Sequence, residues 1–250
     1  MDRLYLVVPC YNEEEVLPET VRRLTDKLRR MEEKGLVSGD SRILLVDDGS
    51  RDRTWELICG FHRENPTVSG LKLSRNRGHQ NALVAGLLTA RELCDITISL
   101  DADLQDDIEV LDQFVEEYHK GAQIVYGVRS ARDTDTAFKR STAMGFYGLM
   151  KKMGVDIVSN HADYRLMSKK ALDCFSGYHE VNLFLRGIVP LIGFPTAVVT
   201  YERSERFAGE SKYPLKKMLS FAWDGITSFS TKPLSLITGV GVGVGFLSGM

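Results

Sequence analysis

The sequence predicts an α/β fold in which helices cover both faces of a mostly parallel β-sheet. Short apolar runs, typical of buried strands, alternate with amphipathic stretches through the first half of the chain. Four of these runs end in polar residues, at the edge of the sheet where α/β proteins bind their ligands. The 250 residues carry a net charge of −2, which argues against a nucleic-acid binder.

The first half of the chain is predicted to hold five strands, each of the first four followed by a helix. The strands are residues 4–9, 42–50, 70–76, 95–103 and 122–129, and the helices are residues 16–31, 52–65, 80–94 and 108–118. In the first helix, apolar residues recur every three or four positions, which indicates one buried face. In the second half, helices are predicted at 138–153 and 181–194 and strands at 164–167 and 196–206. Pro190 is expected to end or kink the later helix.

The cysteines and the N-terminus favour a reducing compartment. Four cysteines lie far apart without a C-x-x-C pair, which fits neither a zinc site nor a disulfide framework. The first ten residues lack the basic region and the long apolar core of a signal peptide, so we interpret them as a strand.

The last quarter of the chain indicates contact with a membrane. Apolar residues at 215–229 form one helical stripe behind several lysines, which suits a helix in the membrane interface. Packing of this helix on the protein's own core is the alternative. Residues 234–250 contain no ionisable side chain, and we interpret them as the start of a transmembrane helix. A glycine-rich disordered tail is the alternative there.

The stretch ISLDADLQDD places acidic and amide side chains directly behind the fourth predicted strand. Asp101 and Asp103, two positions apart, would hold a divalent cation that bridges two phosphates, and the small Ala102 would let a nucleotide approach. The alternative for such acids is a helix N-cap, which we adopt only for the last two acids of the stretch, Asp106 and Asp107.

A second acidic pair, Asp47 and Asp48, ends the second predicted strand and precedes Gly49 and Ser50. These residue types form turns. One of the carboxylates would equally serve to accept a hydrogen bond from the edge of a pyrimidine base. The sequence leaves both interpretations open.

Four motifs resemble, in order and spacing, the processive and polyprenyl-phosphate glycosyltransferases of family 2, which have the GT-A fold. They are VPCYNEE (8–14), DDGSRDRT (47–54), LSRNRGHQNAL (73–83) and DADLQDD (101–107). Later segments, among them ADYRLMSKKAL (162–172), are similar to the bactoprenol-phosphate glucosyltransferase branch, whose members are relatives of dolichol-phosphate mannose synthase. The resemblance covers essentially the whole chain.

The resemblance implies a role for each matching residue. The donor nucleotide-sugar would contact Pro9, Tyr11, Glu13, Asp47, Asp48, Arg75, Asp101 and Ala102. The catalytic residues would be Asp103, which with Gln105 would hold Mg²⁺ or Mn²⁺, and Asp163, which stands where the family has the aspartate of its D-F-R-L motif. Tyr164 replaces the phenylalanine of that motif and would keep an aromatic wall. The acceptor phosphate and the leaving diphosphate would contact Arg129, Arg132, Lys139, Arg140, Arg203, Arg206 and Lys212.

The resemblance also implies three parts of the chain: a GT-A catalytic domain (1–212), a juxtamembrane amphipathic helix (213–233) and the start of a truncated transmembrane segment (234–250). The enzyme would be a homotetramer at the cytoplasmic face of the plasma (inner) membrane. It would transfer a sugar, with inversion, from a UDP-sugar such as UDP-glucose to undecaprenyl or another polyprenyl phosphate for modification of cell-envelope glycans.

One expectation about Asp163 follows from chemistry rather than from the family. A phosphate monoester has its second pKa near 6, so an acceptor phosphate is largely dianionic at neutral pH. Asp163 is therefore expected to orient the substrates at least as much as it acts as a base. Three other functions stay open: a transferase to a sugar hydroxyl, a nucleotidyltransferase, and a membrane-anchored sensor of sugar nucleotides without catalysis.

Overall fold

The computed structural model describes residues 1–130, 161–178, 185–202 and 232–248. The chain forms two compact units. The first unit takes its described residues from 1–131, 160–179 and 192–210, and the second takes them from 132–159, 180–191 and 211–250. The predicted helices at 138–153 and 215–229 lie outside the described residues.

The first unit is built on a seven-stranded sheet. Its strands are β1 (Leu4–Cys10), β2 (Arg42–Asp47), β3 (Val68–Lys72), β4 (Ile96–Ser99), β5 (Ile124–Arg129), β6 (His161–Ser168) and β7 (Thr196–Tyr201). They are arranged in the order β3-β2-β1-β4-β6-β5-β7. Only β6 is antiparallel to its neighbours β4 and β5, and the other pairs are parallel. The expected mostly parallel α/β architecture is confirmed.

Five helices accompany this sheet: α1 (Leu17–Glu33), α2 (Thr54–Glu64), α3 (His79–Arg91), α4 (Leu111–His119) and α5 (Lys169–Phe175). A single turn of 3₁₀ helix, Ile108–Val110, leads into α4. The helix α5 was not predicted from the sequence, because seven residues are too few to show a helical period. Its N-cap is Ser168, whose Oγ accepts a hydrogen bond from the Ala171 N–H at 3.1 Å.

The second unit contains two described helices, α6 (Leu185–Leu191) and α7 (Lys232–Ser248). Pro190 lies one residue before the end of α6, so the expectation that this proline ends the helix is confirmed. Across the four described ranges, no helix combines the length and the apolar character needed to cross a membrane.

Helices pack on both faces of the sheet because the side chains of β1 alternate between the two faces. Leu4, Leu6 and Val8 belong to one buried cluster with α1 and α4. Val7 points to the other face, where Gly86 of α3 packs so closely that a Cβ there would lie 2.5 Å from Val7 Cγ1. The glycine therefore lets α3 lie directly on the sheet.

Four predicted strands end earlier in the structure than in the sequence prediction. The second ends at Asp47 rather than at 50, and the last ends at Tyr201 rather than at 206. The third covers Val68–Lys72 rather than 70–76, and the fourth ends at Ser99 rather than at 103. After Ser99 the backbone leaves the sheet and turns through Leu104, which has a left-handed φ of 57°. The acids behind β4 therefore lie in a loop and not on a strand.

Candidate active site

The predicted site residues lie along one edge of the sheet because of the strand directions. β1, β2 and β4 run parallel, so the loops that follow them start at the same edge. β6 runs the other way beside β4, which brings the first residues of β6 to that edge. β5 and β7 run antiparallel to β6, so their last residues, Arg129 and Tyr201, lie at this edge too.

The loops that follow β1 and β2 are joined by hydrogen bonds. Asn12, in the left-handed region with φ 54°, receives a hydrogen bond from the Arg51 N–H at 2.9 Å and donates its own N–H to Ser50 Oγ at 3.0 Å. The Glu13 N–H donates to Thr54 Oγ1 at 2.8 Å. The conformation of these two loops, which hold several of the predicted donor contacts, is therefore fixed largely by hydrogen bonds from backbone N–H groups to side-chain oxygens.

Asp47 and Asp48 are both buried, and both organise loops. Asp47 Oδ1 accepts from the Ser50 N–H, as expected of a turn residue, whereas its Oδ2 is buried without a hydrogen-bond partner among the described residues. The Asp48 carboxylate accepts the N–H groups of Arg77 and Gly78 at 2.6 and 2.9 Å. Burial raises the pKa of Asp48, with a further contribution from Asp47.

Other predicted donor contacts are distributed unevenly along this edge. Tyr11 and Glu13 are half-buried in the loop after β1, and Arg75 is exposed in the loop after β3. Pro9 lies inside β1, buried and in register with Val46. The backbone of Arg75 packs against Gly49, where a Cβ would lie 2.5 Å from the Arg75 carbonyl carbon. A glycine is therefore needed at position 49, where the loop after β2 packs against the loop after β3.

His79 joins two of the predicted acids. It is the first residue of α3, and its Nε2 lies 3.7 Å from Asp101 Oδ1 and 3.5 Å from Asp163 Oδ2. On its other side, Asp163 Oδ1 lies 3.4 Å from Nη2 of the buried Arg165. Ser99 Oγ donates a hydrogen bond to the Asp163 carbonyl oxygen, which ties β4 to β6. Asp163 is the third residue of β6, so it does not cap a strand or a helix.

The carboxylates at this edge are crowded. The Asp101 side chain is 40% exposed. Loss of hydration, followed by repulsion from Asp106, Asp163 and Asp103, raises the pKa of Asp101 to about 6, and His79 opposes this shift. Repulsion of this kind is typical of functional sites, because an opposite charge supplied by a ligand relieves it.

The donor set of Asp103 and Gln105 suits a hard divalent cation. Mg²⁺ is commonly held by one or two carboxylates, with phosphate and water oxygens completing its shell. Asp103 Oδ1 accepts the Gln105 N–H at 3.1 Å, which folds the two side chains into one turn. Within the part of the chain that the structure describes, no group of three or more His, Cys, Asp or Glu residues is arranged to hold a metal.

Ala102 is placed differently from the expectation. It is 4% exposed and packs in the hydrophobic core, and its carbonyl oxygen accepts a hydrogen bond from Thr20 Oγ1 at 2.7 Å. Its small size is therefore explained by packing against α1 and not by the approach of a nucleotide.

The expectation that Tyr164 forms an aromatic wall of the site is also wrong. Its ring is fully buried between Phe114 and Tyr201, at centroid distances of 4.7 and 5.1 Å. Its hydroxyl donates to the Asp107 carbonyl oxygen at 2.8 Å, so it supports the loop behind β4 from the core side.

The two acids assigned as N-caps differ. Asp107 is an N-cap, since its Oδ1 accepts the Glu109 N–H at 2.9 Å. Asp106 is not, because its buried carboxylate accepts from the Tyr201 hydroxyl at 2.5 Å and lies 3.5 Å from Arg129 Nη2.

Arg129 is the only predicted phosphate contact among the described residues, and the others, Arg132, Lys139, Arg140, Arg203, Arg206 and Lys212, lie outside them.

Three side chains of this edge were not predicted from the sequence to belong to the site, namely His79, Arg165 and Tyr201. His79 carries no metal-ligand spacing, and Arg165 and Tyr201 lie in apolar strands. The one usable signal was the alternation in β6, which places Arg165 on the same face as Asp163.

Comparison with known proteins agrees with the resemblance read from the motifs. The model of glycosyl transferase family 2 matches residues 5–175. An uncharacterized glycosyltransferase of Bacillus subtilis, YkoT, is 57% identical over 245 residues, which are 98% of this chain and 73% of that protein. The bactoprenol glucosyl transferase of Shigella phage SfV is 40% identical over 250 residues, covering 98% of this chain and 78% of the phage protein.

Solved structures share the fold at low sequence identity. Mannosyl-3-phosphoglycerate synthase from Rubrobacter xylanophilus aligns with a TM-score of 0.57 at 16% identity, over 89% of this chain and 71% of that one. Glucosyl-3-phosphoglycerate synthase from Mycobacterium tuberculosis, in complex with Mn²⁺, UDP and phosphoglyceric acid, aligns with 0.55 at 16%, over 88% and 75%. The expected GT-A-like architecture is confirmed.

Proposed function

Because this chain belongs to glycosyl transferase family 2, we propose that it moves a sugar, glucose first among the candidates, from a UDP-sugar to undecaprenyl or another polyprenyl phosphate. The observation that carries the proposal is the 40% identity, over 98% of the chain, to a bactoprenol glucosyl transferase. The described edge of the sheet supports a transfer reaction, because it brings acids from the loop after β4 and from β6 together with Arg129.

The proposed reaction is a single displacement with inversion. An oxygen of the lipid phosphate attacks the anomeric carbon of the sugar while the bond from that carbon to the diphosphate breaks. UDP leaves with the electron pair of that bond. The attacking phosphate is already largely dianionic at neutral pH, so the step requires no proton to be removed from it.

Asp163 is then a residue that orients the substrates. Its carboxylate is 14% exposed and lies between Arg165 and His79, so its position is fixed from both sides. A fixed carboxylate beside the reacting centre orders the sugar or the acceptor, and orientation of this kind lowers barriers substantially.

Asp103 and Gln105 would hold the divalent cation, since their oxygen donors and the crowding of carboxylates around them fit such an ion. When bound, Mg²⁺ or Mn²⁺ would stabilise the negative charge that develops on the leaving diphosphate. Arg129 would contribute a second positive charge from the end of β5.

Attachment to the cytoplasmic face of the plasma membrane belongs to the same proposal, with 213–233 as an interface helix and 234–250 as the first part of a spanning helix. Support comes from the exposed apolar side chains of α7, which are Ile237, Val242, Val244, Phe246 and Leu247. The homotetramer implied by the resemblance completes the proposal, and the mass of the detergent-solubilised protein would test it.

The test is transfer of label from a panel of radiolabelled UDP- and GDP-sugars to undecaprenyl phosphate, with the protein in membranes and with or without Mn²⁺. We expect Mn²⁺-dependent label in the lipid fraction from UDP-glucose. Label from a different donor would mean that the transferred sugar is not glucose, and the proposed reaction would stand. If a donor is consumed only when a soluble sugar acceptor is present, lipid phosphate is not the acceptor.

Two variants serve as controls in this assay. Asp103→Asn keeps the shape of the side chain and removes the charge proposed to hold the cation, so lipid labelling should be lost. Glu33→Gln changes an exposed carboxylate at the end of α1 and should label lipid as the parent protein does.

A further inference from the structure

Three side chains form a closed network beside the loop that follows β4. Asp106 belongs to that loop, Arg129 ends β5 and Tyr201 ends β7. The Tyr201 hydroxyl donates to Asp106 Oδ1 at 2.5 Å and accepts from Arg129 Nε at 3.2 Å. Arg129 Nη2 in turn lies 3.5 Å from Asp106 Oδ1. Each member therefore contacts the other two.

The network is buried on one side and open on the other. Asp106 is 4% exposed and the Tyr201 ring packs edge-on against Tyr164, whereas the Arg129 side chain is 32% exposed. A buried carboxylate is costly unless a cation and hydrogen bonds compensate it. Asp106 thus holds the guanidinium from the buried side through an ion pair, and Arg129 Nε donates one hydrogen bond, to the Tyr201 hydroxyl.

The contacts of Asp106 are directed at side chains and not at the backbone. Its neighbour Asp107 caps the 3₁₀ turn, so Asp106 is not needed as the N-cap. Burial and the nearby Asp106 raise the pKa of Tyr201, so its hydroxyl stays protonated and remains a donor. Burial opposes the charge on Arg129, but the contacts with Tyr201 and Asp106 outweigh burial and raise its pKa. The strand directions place Arg129 at the same edge of the sheet as the acids.

We propose that Asp106 and Tyr201 are positioning residues that hold the Arg129 guanidinium at the substrate edge, where it binds a phosphate group. The proposal rests on the proposed function, which supplies two such groups, the donor diphosphate and the lipid phosphate. Arginine recognises phosphate through a planar fork of donors, so its orientation decides how well it binds. A network that fixes this orientation beforehand removes part of the entropy lost on binding.

The test is a double-mutant cycle on Tyr201 and Arg129, measured in the full chain in membranes. Tyr201→Phe keeps the packed ring and removes only the hydroxyl, and we expect kcat/KM to fall about tenfold. Arg129→Ala should lower it about a hundredfold or more. In the double variant we expect no further loss beyond Arg129→Ala, because Tyr201 acts through Arg129.

Two further variants separate positioning from support of the fold. Asp106→Asn keeps the size of the side chain and removes its charge, and it should reproduce the Tyr201→Phe loss without lowering the unfolding temperature. Tyr118→Phe removes a hydroxyl from α4, away from this edge, and should leave kcat/KM unchanged. The substrate whose KM rises in Arg129→Ala, the UDP-sugar or the lipid phosphate, identifies which phosphate the arginine binds.

Additive losses in the double variant would overturn the proposal, as would a Tyr201→Phe protein that is less stable but equally active once folded. If the parent protein transfers none of the tested sugars, the proposed function fails on its own. The same four proteins are then compared for their affinity for UDP in the presence of Mn²⁺ and for vesicles that contain polyprenyl phosphate, and equal affinities for both would overturn the positioning role as well.

Discussion

Charged side chains gather on both sides of the segment that follows β4, and the two groups differ in how their charges are balanced. On one side, α1 meets the 3₁₀ turn and α4 through an ion-pair cluster of Lys27, Arg30, Lys34, Glu109 and Asp112. Lys27 is 1% exposed and lies 3.2 Å from Glu109 and 2.9 Å from Asp112. Arg30 and Lys34 each approach one of the same two acids at 2.6 Å. Three cations thus serve two anions.

On the other side, the strand-end acid cluster consists of Asp101, Asp103, Asp106 and Asp163. Among the described residues, its basic partners are Arg129, Arg165 and His79. His79 is shared by Asp163 at 3.5 Å and Asp101 at 3.7 Å. In the part of the chain that the structure describes, four acids therefore face at most three positive charges, and burial together with repulsion from Asp106, Asp163 and Asp103 raises the pKa of Asp101.

The difference separates residues that hold the fold from residues that are proposed to bind a ligand. In the ion-pair cluster, contacts with Arg30, Lys27 and Lys34 lower the pKa of Glu109 and of Asp112, so the fold favours their charged forms. In the acid cluster, the fold opposes charge on Asp101. A site that repels its own charges is completed by a positively charged ligand such as a divalent cation. Substitutions in the two clusters should accordingly affect different properties.

The largest expected effect is on activity, from Asp163→Asn. Loss of a fixed carboxylate at the reacting centre should lower kcat about 10²- to 10⁴-fold. The unfolding temperature should change little, because relief of the repulsion with Asp101 offsets the lost ion pair with the buried Arg165. Rate measured against pH decides the role of Asp163. A loss that is uniform with pH supports orientation of the substrates, whereas a loss that vanishes at high pH would show that Asp163 acts as a base.

The next effect is on stability, from Lys27→Met in the ion-pair cluster. Asp112 keeps Lys34 and Glu109 keeps Arg30, so the free energy of unfolding should fall by about 2 kcal/mol, less than when a buried charge loses its only partner. Denaturant unfolding measures this, and kcat per folded molecule should not change. Lys120→Met, at an exposed pair with Glu117, is the control and should cost less than about 0.5 kcal/mol. Equal stability of Lys27→Met and the parent would contradict the assignment.

The sequence predicted the acid cluster better than its partners, for a physical reason. β1, β2 and β4 are short apolar runs that end in an acid or are followed by one within three residues, and parallel pairing places such ends together. His79 meets Asp163 only because the sheet order inserts β6 beside β4, a pairing between residues far apart in the chain. Asp106 was assigned as an N-cap because its contact with Tyr201 spans 95 positions. Local patterns do not contain contacts of this kind.

A smaller effect on activity is expected from His79→Gln. The amide keeps a polar group between Asp101 and Asp163 but removes any positive charge, so kcat/KM should fall about tenfold with the unfolding temperature nearly unchanged. His119→Gln changes a histidine paired with Asp2 elsewhere on the surface and should have no effect on kcat/KM. If both variants are fully active, His79 does not balance the acid cluster.

The smallest effect is a gain in stability from Asp101→Asn in metal-free buffer. The pKa of Asp101 is about 6 in the folded protein and about 3.9 in an unfolded chain, so the folded state binds this proton more tightly. The parent protein therefore loses stability at this site as the pH rises from about 4 to 6, and the variant does not.

The gain at pH 7 should stay below about 1 kcal/mol, because the side chain is 40% exposed and solvent screens the repulsion. Denaturant unfolding of parent and variant between pH 4 and 7 should give a difference close to zero at pH 4 that grows with pH. The ion-pair cluster has the opposite sign, since the lowered pKa values of Glu109 and Asp112 contribute stability that is lost only as the pH falls below about 4. A difference that does not change with pH would mean that neither burial nor the neighbouring acids oppose the charge on Asp101, and the contrast between the two clusters would then disappear.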